Sequence, residues 1–302
     1  MRWTVAILAG LLLVPGFAGA WVHVHVGDGA SRIVGLFHGD PDRNGTPEVY
    51  GANATALLRF TFAGGTWRQE RIMDVRAGIQ SLAVGDGDRD GKQEVWFGTP
   101  GGSAVRLRWT DSGLVKDVHA LGSGPVRALL VGDADADGKP EVYAALGKTV
   151  WKLARESTGW EKTAIVDTND AVSAMSFGYG DRTPVRKLWL GTTHGDLWRV
   201  RHHEGAWTLR HVGNGTPGQA LHAVDNLEFF DGYPRPVVLS DDGRAYAFAR
   251  ANTTAPFERR TLATFPHDPV ALSNFEVVTE GGFLYRMDQH GRALEIGRGR
   301  RR

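Results

Sequence analysis

The chain of 302 residues contains no cysteine, so it forms no disulfide bond and offers no thiolate to a metal ion. It also lacks an excess of either charge, since 35 Lys and Arg stand against 34 Asp and Glu. A balance this even gives no broad attraction to nucleic acid or to anionic lipid. After the first 20 residues, no apolar run reaches the roughly 18 residues of a transmembrane helix. Stability must therefore come from core burial or from bound metal.

The N-terminus has the features of a secretory signal peptide. Arg2 supplies the positive charge, and the apolar run Val5–Val14 is too short to span a membrane. Ala18-Gly19-Ala20 then provides the small residues that a signal peptidase accepts. We therefore expect residues 1–20 to be cleaved off before Trp21. The mature protein is expected to be secreted or held at the cell surface, in an extracellular or periplasmic space.

An acidic motif occurs three times in the first half of the chain. Each copy reads Asp-x-Asp-x-Asp/Asn-Gly-x-x-Glu-Val-aromatic, and the copies start at Asp40, Asp86 and Asp133, 46 and 47 residues apart. The motif fades after the third copy, but the period continues in units that open at Ala174, Leu221 and Val270. Six such units across residues 33–302 indicate a repeat architecture.

Each unit contains four short apolar runs bounded by Gly, Asp, Asn or Pro. In the third unit these runs are Val126–Val131, Glu141–Leu146, Thr149–Arg155 and Trp160–Val166. Glycines and turn dipeptides interrupt the spacing that a helical repeat would need. Four antiparallel strands repeated every 40–50 residues or so are typical of a propeller blade. The sequence therefore predicts an all-β fold, a six-bladed β-propeller of four-stranded antiparallel blades.

The predicted propeller is a single domain over residues 21–297, and residues 298–302 form a basic tail that we expect to be solvated. The last unit has three clear strands and two candidates for the fourth. One candidate is the N-terminal segment Trp21–Gly27, and the other is Ala293–Gly297. We prefer closure of the ring by the N-terminal strand, because it removes a free sheet edge.

The acidic motif supplies oxygen atoms at alternate positions of a tight loop. With the first Asp as position 1, the side chains at positions 1, 3 and 5 converge, and Gly at position 6 permits the turn. The carbonyl at position 7 and the Glu at position 9 can complete the shell. Ca²⁺ takes six to eight oxygens, whereas Mg²⁺ prefers a strict octahedron that keeps its waters, and transition metals favour His or Cys. The predicted Ca²⁺ ligands are Asp40, Asp42, Asn44, Thr46 and Glu48 in loop one, Asp86, Asp88, Asp90, Lys92 and Glu94 in loop two, and Asp133, Asp135, Asp137, Lys139 and Glu141 in loop three.

These three segments resemble the FG-GAP/VCBS-type repeats of integrin-α-like propellers. The resemblance implies that each loop joins the first two strands of a blade and binds Ca²⁺. Because Asn44 replaces an Asp, loop one has one carboxylate fewer and is expected to bind more weakly. The match is close over loops one to three, and Phe97-Gly98-Thr99-Pro100 echoes part of the family signature without its Gly-Ala-Pro. Units four to six match only in strand pattern and period. Gly178–Thr183 lacks the alternating acidic residues of the motif, so we predict no metal site there.

Two interpretations of function follow from this pattern. The first is a non-enzymatic binding or adhesion module, expected to be a monomer, whose partner is an extracellular protein or carbohydrate on the face opposite the acidic loops. The alternative is an exported enzyme on the same fold, such as a polysaccharide lyase or hydrolase or a quinone-dependent dehydrogenase, because fold does not determine function. The recurrence of Trp96 and Trp189 at equivalent strand positions predicts packing between blades rather than a sugar platform. Candidates for the recognition face are Arg76, Asp170, His194 and His267.

Overall fold

The computed structural model describes residues 4–5, 27–28, 33–183, 185–229, 231–273, 275–279, 283–287 and 292–298. These residues form six four-stranded antiparallel sheets arranged as a six-bladed β-propeller, which confirms the predicted fold class. In every blade the strands pair in chain order. Within the described residues, no helix has the length and apolar character that crossing a membrane requires.

The strands agree with the apolar runs of the sequence, and a two-residue pairing of Thr4–Val5 with Gly27–Asp28 lies outside the blades. The blades, in order, contain Ile33–Gly39, Glu48–Asn53, Ala56–Ala63 and Thr66–Asp74; Ser81–Gly85, Glu94–Gly98, Ser103–Thr110 and Gly113–Ala120; Val126–Gly132, Glu141–Leu146, Thr149–Glu156 and Gly159–Asp167; Val172–Gly178, Lys187–Thr192, Asp196–His203 and Ala206–Asn214; Leu221–Glu228, Pro234–Ser240, Arg244–Ala249 and Glu258–Thr264; and Pro269–Ser273, Glu276–Thr279, Phe283–Met287 and Ala293–Arg298.

Burial changes systematically from the first to the fourth strand of a blade. First strands of consecutive blades contact one another, so they lie nearest the axis. Second strands such as Glu94–Gly98 and Lys187–Thr192 are buried along their whole length, because neighbouring blades cover both faces. Fourth strands such as Gly113–Ala120 alternate between exposed and half-buried residues at the rim. This gradient buries the first residue of the second strand, which is Glu48, Glu94 or Glu141 in blades one to three.

The hydrophobic core lies between the blades. Each of the larger apolar clusters combines side chains from two adjacent blades. Trp96 and Trp189 are fully buried in two of these clusters, as the tryptophan periodicity predicted. Large side chains therefore stabilise blade against blade rather than forming a platform at these two positions.

The blades approach most closely at the glycine that ends a first strand. A Cβ atom added to Gly85 would lie 2.7 Å from Val131, and Gly39, Gly132 and Gly178 meet the next blade at comparably short distances. Because real Cβ atoms do not approach other atoms so closely, only glycine fits here without displacing the neighbouring strand. These glycines lie directly before the acidic loops of blades one to three and the corresponding loop of blade four.

Gly85→Ala is expected to lower the free energy of unfolding by about 1–3 kcal/mol, the usual cost of forcing an extra methyl group into a packed core. Denaturant unfolding of the two proteins measures this difference. Gly101→Ala is the matched control, because its Cβ would meet nothing within 4 Å and its backbone is not in the left-handed region. Equal losses in the two variants would show that interblade packing is not the constraint on Gly85.

The fourth strand of the sixth blade is not the one that we preferred from the sequence. Ala293–Arg298 pairs antiparallel with Phe283–Met287 and completes this sheet, so the preferred closure by Trp21–Gly27 is wrong for that position. The physical reason is that a short hairpin connection costs less conformational entropy than recruiting a strand from the far end of the chain. Residues 21–26 lie outside the described residues, as do 299–302 of the predicted tail.

Candidate cation loops

The three acidic loops connect the first and second strands of blades one to three and share one backbone conformation. In each loop the amide of the Gly at position 6 donates to the carboxylate at position 1, over 3.1 Å in loop one and 2.9 Å in loops two and three. The residue at position 4 has a left-handed φ in all three copies, at Arg43, Arg89 and Ala136. The repeated sequence therefore produces a repeated local structure.

This conformation brings the carboxylates of each loop together. In loop two, one oxygen from each of Asp86, Asp88, Asp90 and Glu94 lies within 4.8 Å of the others. The same separation holds for the carboxylates at positions 1, 3 and 9 of loops one and three, namely Asp40, Asp42, Glu48, Asp133, Asp135 and Glu141. The structure thus assembles ten of the predicted ligand residues into three clusters, one in each loop.

The side chain at position 5 has a second contact that shapes the turn. Its Oδ1 atom accepts the backbone N–H of position 7 in each loop, over 2.8 Å at Asn44, 2.9 Å at Asp90 and 2.8 Å at Asp137. Asp137 is exposed and is not part of the loop-three cluster, whereas Asp90 belongs to its own cluster. The predicted ligands at position 7, Thr46, Lys92 and Lys139, are fixed by these amide contacts.

Several carboxylate oxygens in these loops are buried without a hydrogen-bond donor. They are Oδ1 of Asp40, Oδ1 of Asp133 and Oδ1 of Asp135, and the side chain of Asp135 is only 7% exposed. A buried anionic oxygen without a donor is costly unless a cation balances it. The geometry of the loops and the chemistry of their oxygens therefore fit a bound cation.

A basic side chain from the third strand contacts the carboxylate at position 3 in every acidic loop. The pairs are Arg59 with Asp42, Arg106 with Asp88, and Lys152 with Asp135. Burial alone would raise the pKa of Asp135, but the hydrogen bond and charge of Lys152 outweigh it and hold that pKa below its usual value. These partners stand 17 or 18 residues after the carboxylate and recur with the repeat period, although the acidic motif alone does not predict them.

The Glu at position 9 starts the buried second strand, and the aromatic residue two positions later contacts its carboxylate. Tyr50 donates to Glu48 over 3.2 Å, Trp96 to Glu94 over 3.3 Å, and Tyr143 to Glu141 over 2.9 Å. Each Glu is 1% exposed. Burial raises the pKa of Glu94 to about 8 and that of Glu141 to about 6. The aromatic residue of the motif thus donates a hydrogen bond to the Glu as well as packing in the core, a role that the sequence pattern does not predict.

The raised pKa of Glu94 predicts a pH dependence of stability in EDTA. Between its ordinary value of 4.5 and about 8, the folded chain holds a proton on Glu94 that the unfolded chain has released. The free energy of unfolding is therefore expected to fall as the pH rises through this range. Urea unfolding at several pH values measures the slope, and Glu94→Gln, which has no proton to lose, is expected to flatten it. An unchanged slope in Glu94→Gln would contradict the assignment.

The structure also locates the residues considered for the opposite face. Asp170 lies in the link between blades three and four, and its carboxylate contacts His194, which lies in the turn between the second and third strands of blade four. Arg76 is exposed in the link between blades one and two, and His267 is half-buried between blades five and six. The structure brings Asp170 and His194 together as a surface pair.

A comparison of the chain with models of known protein families and with curated proteins gives no match. The propeller fold is therefore established by the structure, and the resemblance to FG-GAP/VCBS-type repeats stays a prediction. What the structure adds to that resemblance is the set of three carboxylate clusters and their third-strand cations.

Proposed function

We propose that this chain is a secreted calcium-binding β-propeller of the FG-GAP/VCBS type that acts as an extracellular binding module. The observation that carries the calcium site is the repeated carboxylate cluster, which in loops one and three contains buried oxygens without hydrogen-bond donors. Three loops with one conformation and one ligand pattern are better explained by a shared ligand than by independent turns. The geometry of the clusters supports the bound cation. The extracellular role is supported by the signal-like N-terminus and by the resemblance to FG-GAP/VCBS-type repeats.

The ligand chemistry favours Ca²⁺ over other ions. The clusters offer carboxylate oxygens, and the chain has no Cys to attract a soft metal. Loop two sets the three carboxylates of its Asp residues and the carboxyl group of Glu94 against two basic side chains, Arg106 on Asp88 and Lys92 on Asp90, so it retains negative charge for a divalent ion. Ca²⁺ tolerates irregular shells of six to eight oxygens, whereas Mg²⁺ requires near-ideal octahedral geometry. An ion in each loop would hold the first strand of a blade to its second strand.

The proposed partner, a protein or a carbohydrate, binds at the end of the propeller opposite the acidic loops. That end carries the links between blades and the turns between second and third strands, including Asp170 and His194. In this arrangement the ions stabilise the blades from one end, and the loops at the other end are free to contact a partner. A rigid scaffold presenting loops is a common way to build a recognition surface.

Equilibrium dialysis of the purified protein against Ca²⁺, with Mg²⁺ as competitor, tests the calcium proposal. We expect three Ca²⁺ ions per chain and two in Asp88→Ala, which removes a ligand from loop two. Asp111→Ala is the control, because Asp111 is an exposed acid in the same blade outside the cluster. Absence of binding at millimolar Ca²⁺, or equal loss in both variants, would refute the proposal.

A further inference from the structure

The loop between the first and second strands of blade four matches the acidic loops in one backbone angle and in strand register. Arg182 has a φ of 62°, which matches the left-handed residue at position 4 of the other three loops. In the strand register, Lys187 pairs with Gly178 as Glu141 pairs with Gly132 in blade three. Asp181 therefore occupies position 3, Thr183 position 5, Val185 position 7 and Lys187 position 9. A buried lysine stands where the other three blades have a buried glutamate.

The ammonium group of Lys187 points into this loop and contacts the groups that would surround an ion. Its Nζ atom donates to Asp181 Oδ1 over 2.8 Å, to Thr183 Oγ1 and to the carbonyl oxygen of Val185. These atoms belong to positions 3, 5 and 7, three of the five positions at which the sequence predicts Ca²⁺ ligands in the acidic loops. The Lys187 side chain is fully buried, so these oxygens, rather than water, satisfy its charge.

The neighbouring positions have changed in a consistent way. Position 1 is Tyr179, which is exposed and brings no carboxylate. Trp189, at the position of the aromatic that contacts Glu in the other blades, donates instead to the carbonyl of Gly178 over 3.3 Å. The third-strand cation is retained, because Arg199 contacts Asp181 as Lys152 contacts Asp135. Blade four thus lacks the acidic or amide side chains of positions 1, 5 and 9 and keeps the position-3 carboxylate with its third-strand cation.

We infer that blade four holds a cation site filled by the chain itself, in which the ammonium of Lys187 takes the place of the divalent ion. One carboxylate, that of Asp181, faces Lys187, Arg199 and Arg250, so the loop carries excess positive charge and repels a divalent cation. Blade four is therefore locked without metal, whereas the acidic loops depend on an added ion. The inference rests on the proposed function only for the identity of that ion.

The decisive experiment moves the built-in cation into blade three. Glu141 has the same strand register in blade three as Lys187 has in blade four. Glu141→Lys places an ammonium at position 9 of loop three, beside Asp135. We expect its Ca²⁺ stoichiometry to fall from three to two and its Tm in EDTA to lie several degrees above that of Glu141→Gln, the matched control. A Tm in EDTA no higher than that of Glu141→Gln would overturn the inference, because the ammonium would then not substitute for an ion.

A second variant tests blade four directly. Lys187→Met keeps an unbranched side chain, one atom shorter, and removes its charge, and we expect it to lower the Tm by the same amount in EDTA and in Ca²⁺. Arg186→Met, one residue earlier and exposed, is the control. A loss confined to the Ca²⁺ condition, or no larger than that of the control, would refute the inference. If the wild-type protein binds no Ca²⁺, the proposed function fails, while the two comparisons in EDTA still decide whether Lys187 acts as the internal cation.

Discussion

Saturating calcium is expected to raise the free energy of unfolding by at least about 8 kcal/mol at a free concentration near 100 times the Kd of loop one, the weakest of the three sites, since each site then adds about 2.7 kcal/mol or more. The reason is that the carboxylates of each cluster lie within 4.8 Å of one another only in the folded loop. The unfolded chain does not hold this geometry and binds the ion more weakly, so the ion stabilises the folded state. Denaturant unfolding in EDTA and in Ca²⁺ measures the difference.

The double variant Asp88→Ala/Asp135→Ala is expected to retain only the contribution of loop one, about 2.7 kcal/mol under the same conditions. Each variant is compared with itself in EDTA, because the substitutions also leave Arg106 and Lys152 without their position-3 partners. Mg²⁺ is expected to give a smaller gain. A calcium effect of unchanged size in the double variant would place the ions outside the acidic loops.

The architecture was predictable because the repeat is explicit in the sequence. Glycines and acidic turns bound each strand, so Glu141–Leu146 was predicted with the bounds that the structure has. The other strands of blade three extend one residue further at one or both ends. Each strand could be predicted from the residues within it and directly beside it. The fourth strand of blade six depended on competition between two segments far apart in the chain, and that prediction was wrong.

The carboxylates of the candidate site could be predicted from the sequence, but the basic side chains that contact them could not. The acidic side chains lie within one loop, and the alternating spacing was sufficient to group them. Arg59, Arg106 and Lys152 reach the loops from the third strand, a contact that depends on strand register and not on sequence proximity. Lys187 was missed because a lysine at position 9 breaks the acidic pattern, although the repeat period aligns it with Glu141.

Asp181→Ala is expected to lower the free energy of unfolding by about 3–5 kcal/mol, the usual loss when one partner of a buried ion pair is removed. Asp181 is 1% exposed and faces three cations that are themselves almost buried, Lys187, Arg199 and Arg250, at 0%, 12% and 2% exposure. Without the carboxylate their charges stay in the interior without compensation. Denaturant unfolding in EDTA measures the loss without a contribution from bound ions.

The matched control for this prediction is Asp231→Ala in blade five. Asp231 also contacts two basic residues, Arg182 and Arg235, but its side chain is 41% exposed. Solvent screening therefore limits its expected cost to less than about 1 kcal/mol. A large gap between the two variants would show that burial strongly raises the cost of losing a carboxylate that contacts several cations. Equal losses would instead mean that solvent reaches Lys187 once Asp181 is removed, and that the blade-four loop does not depend on its internal charge pair.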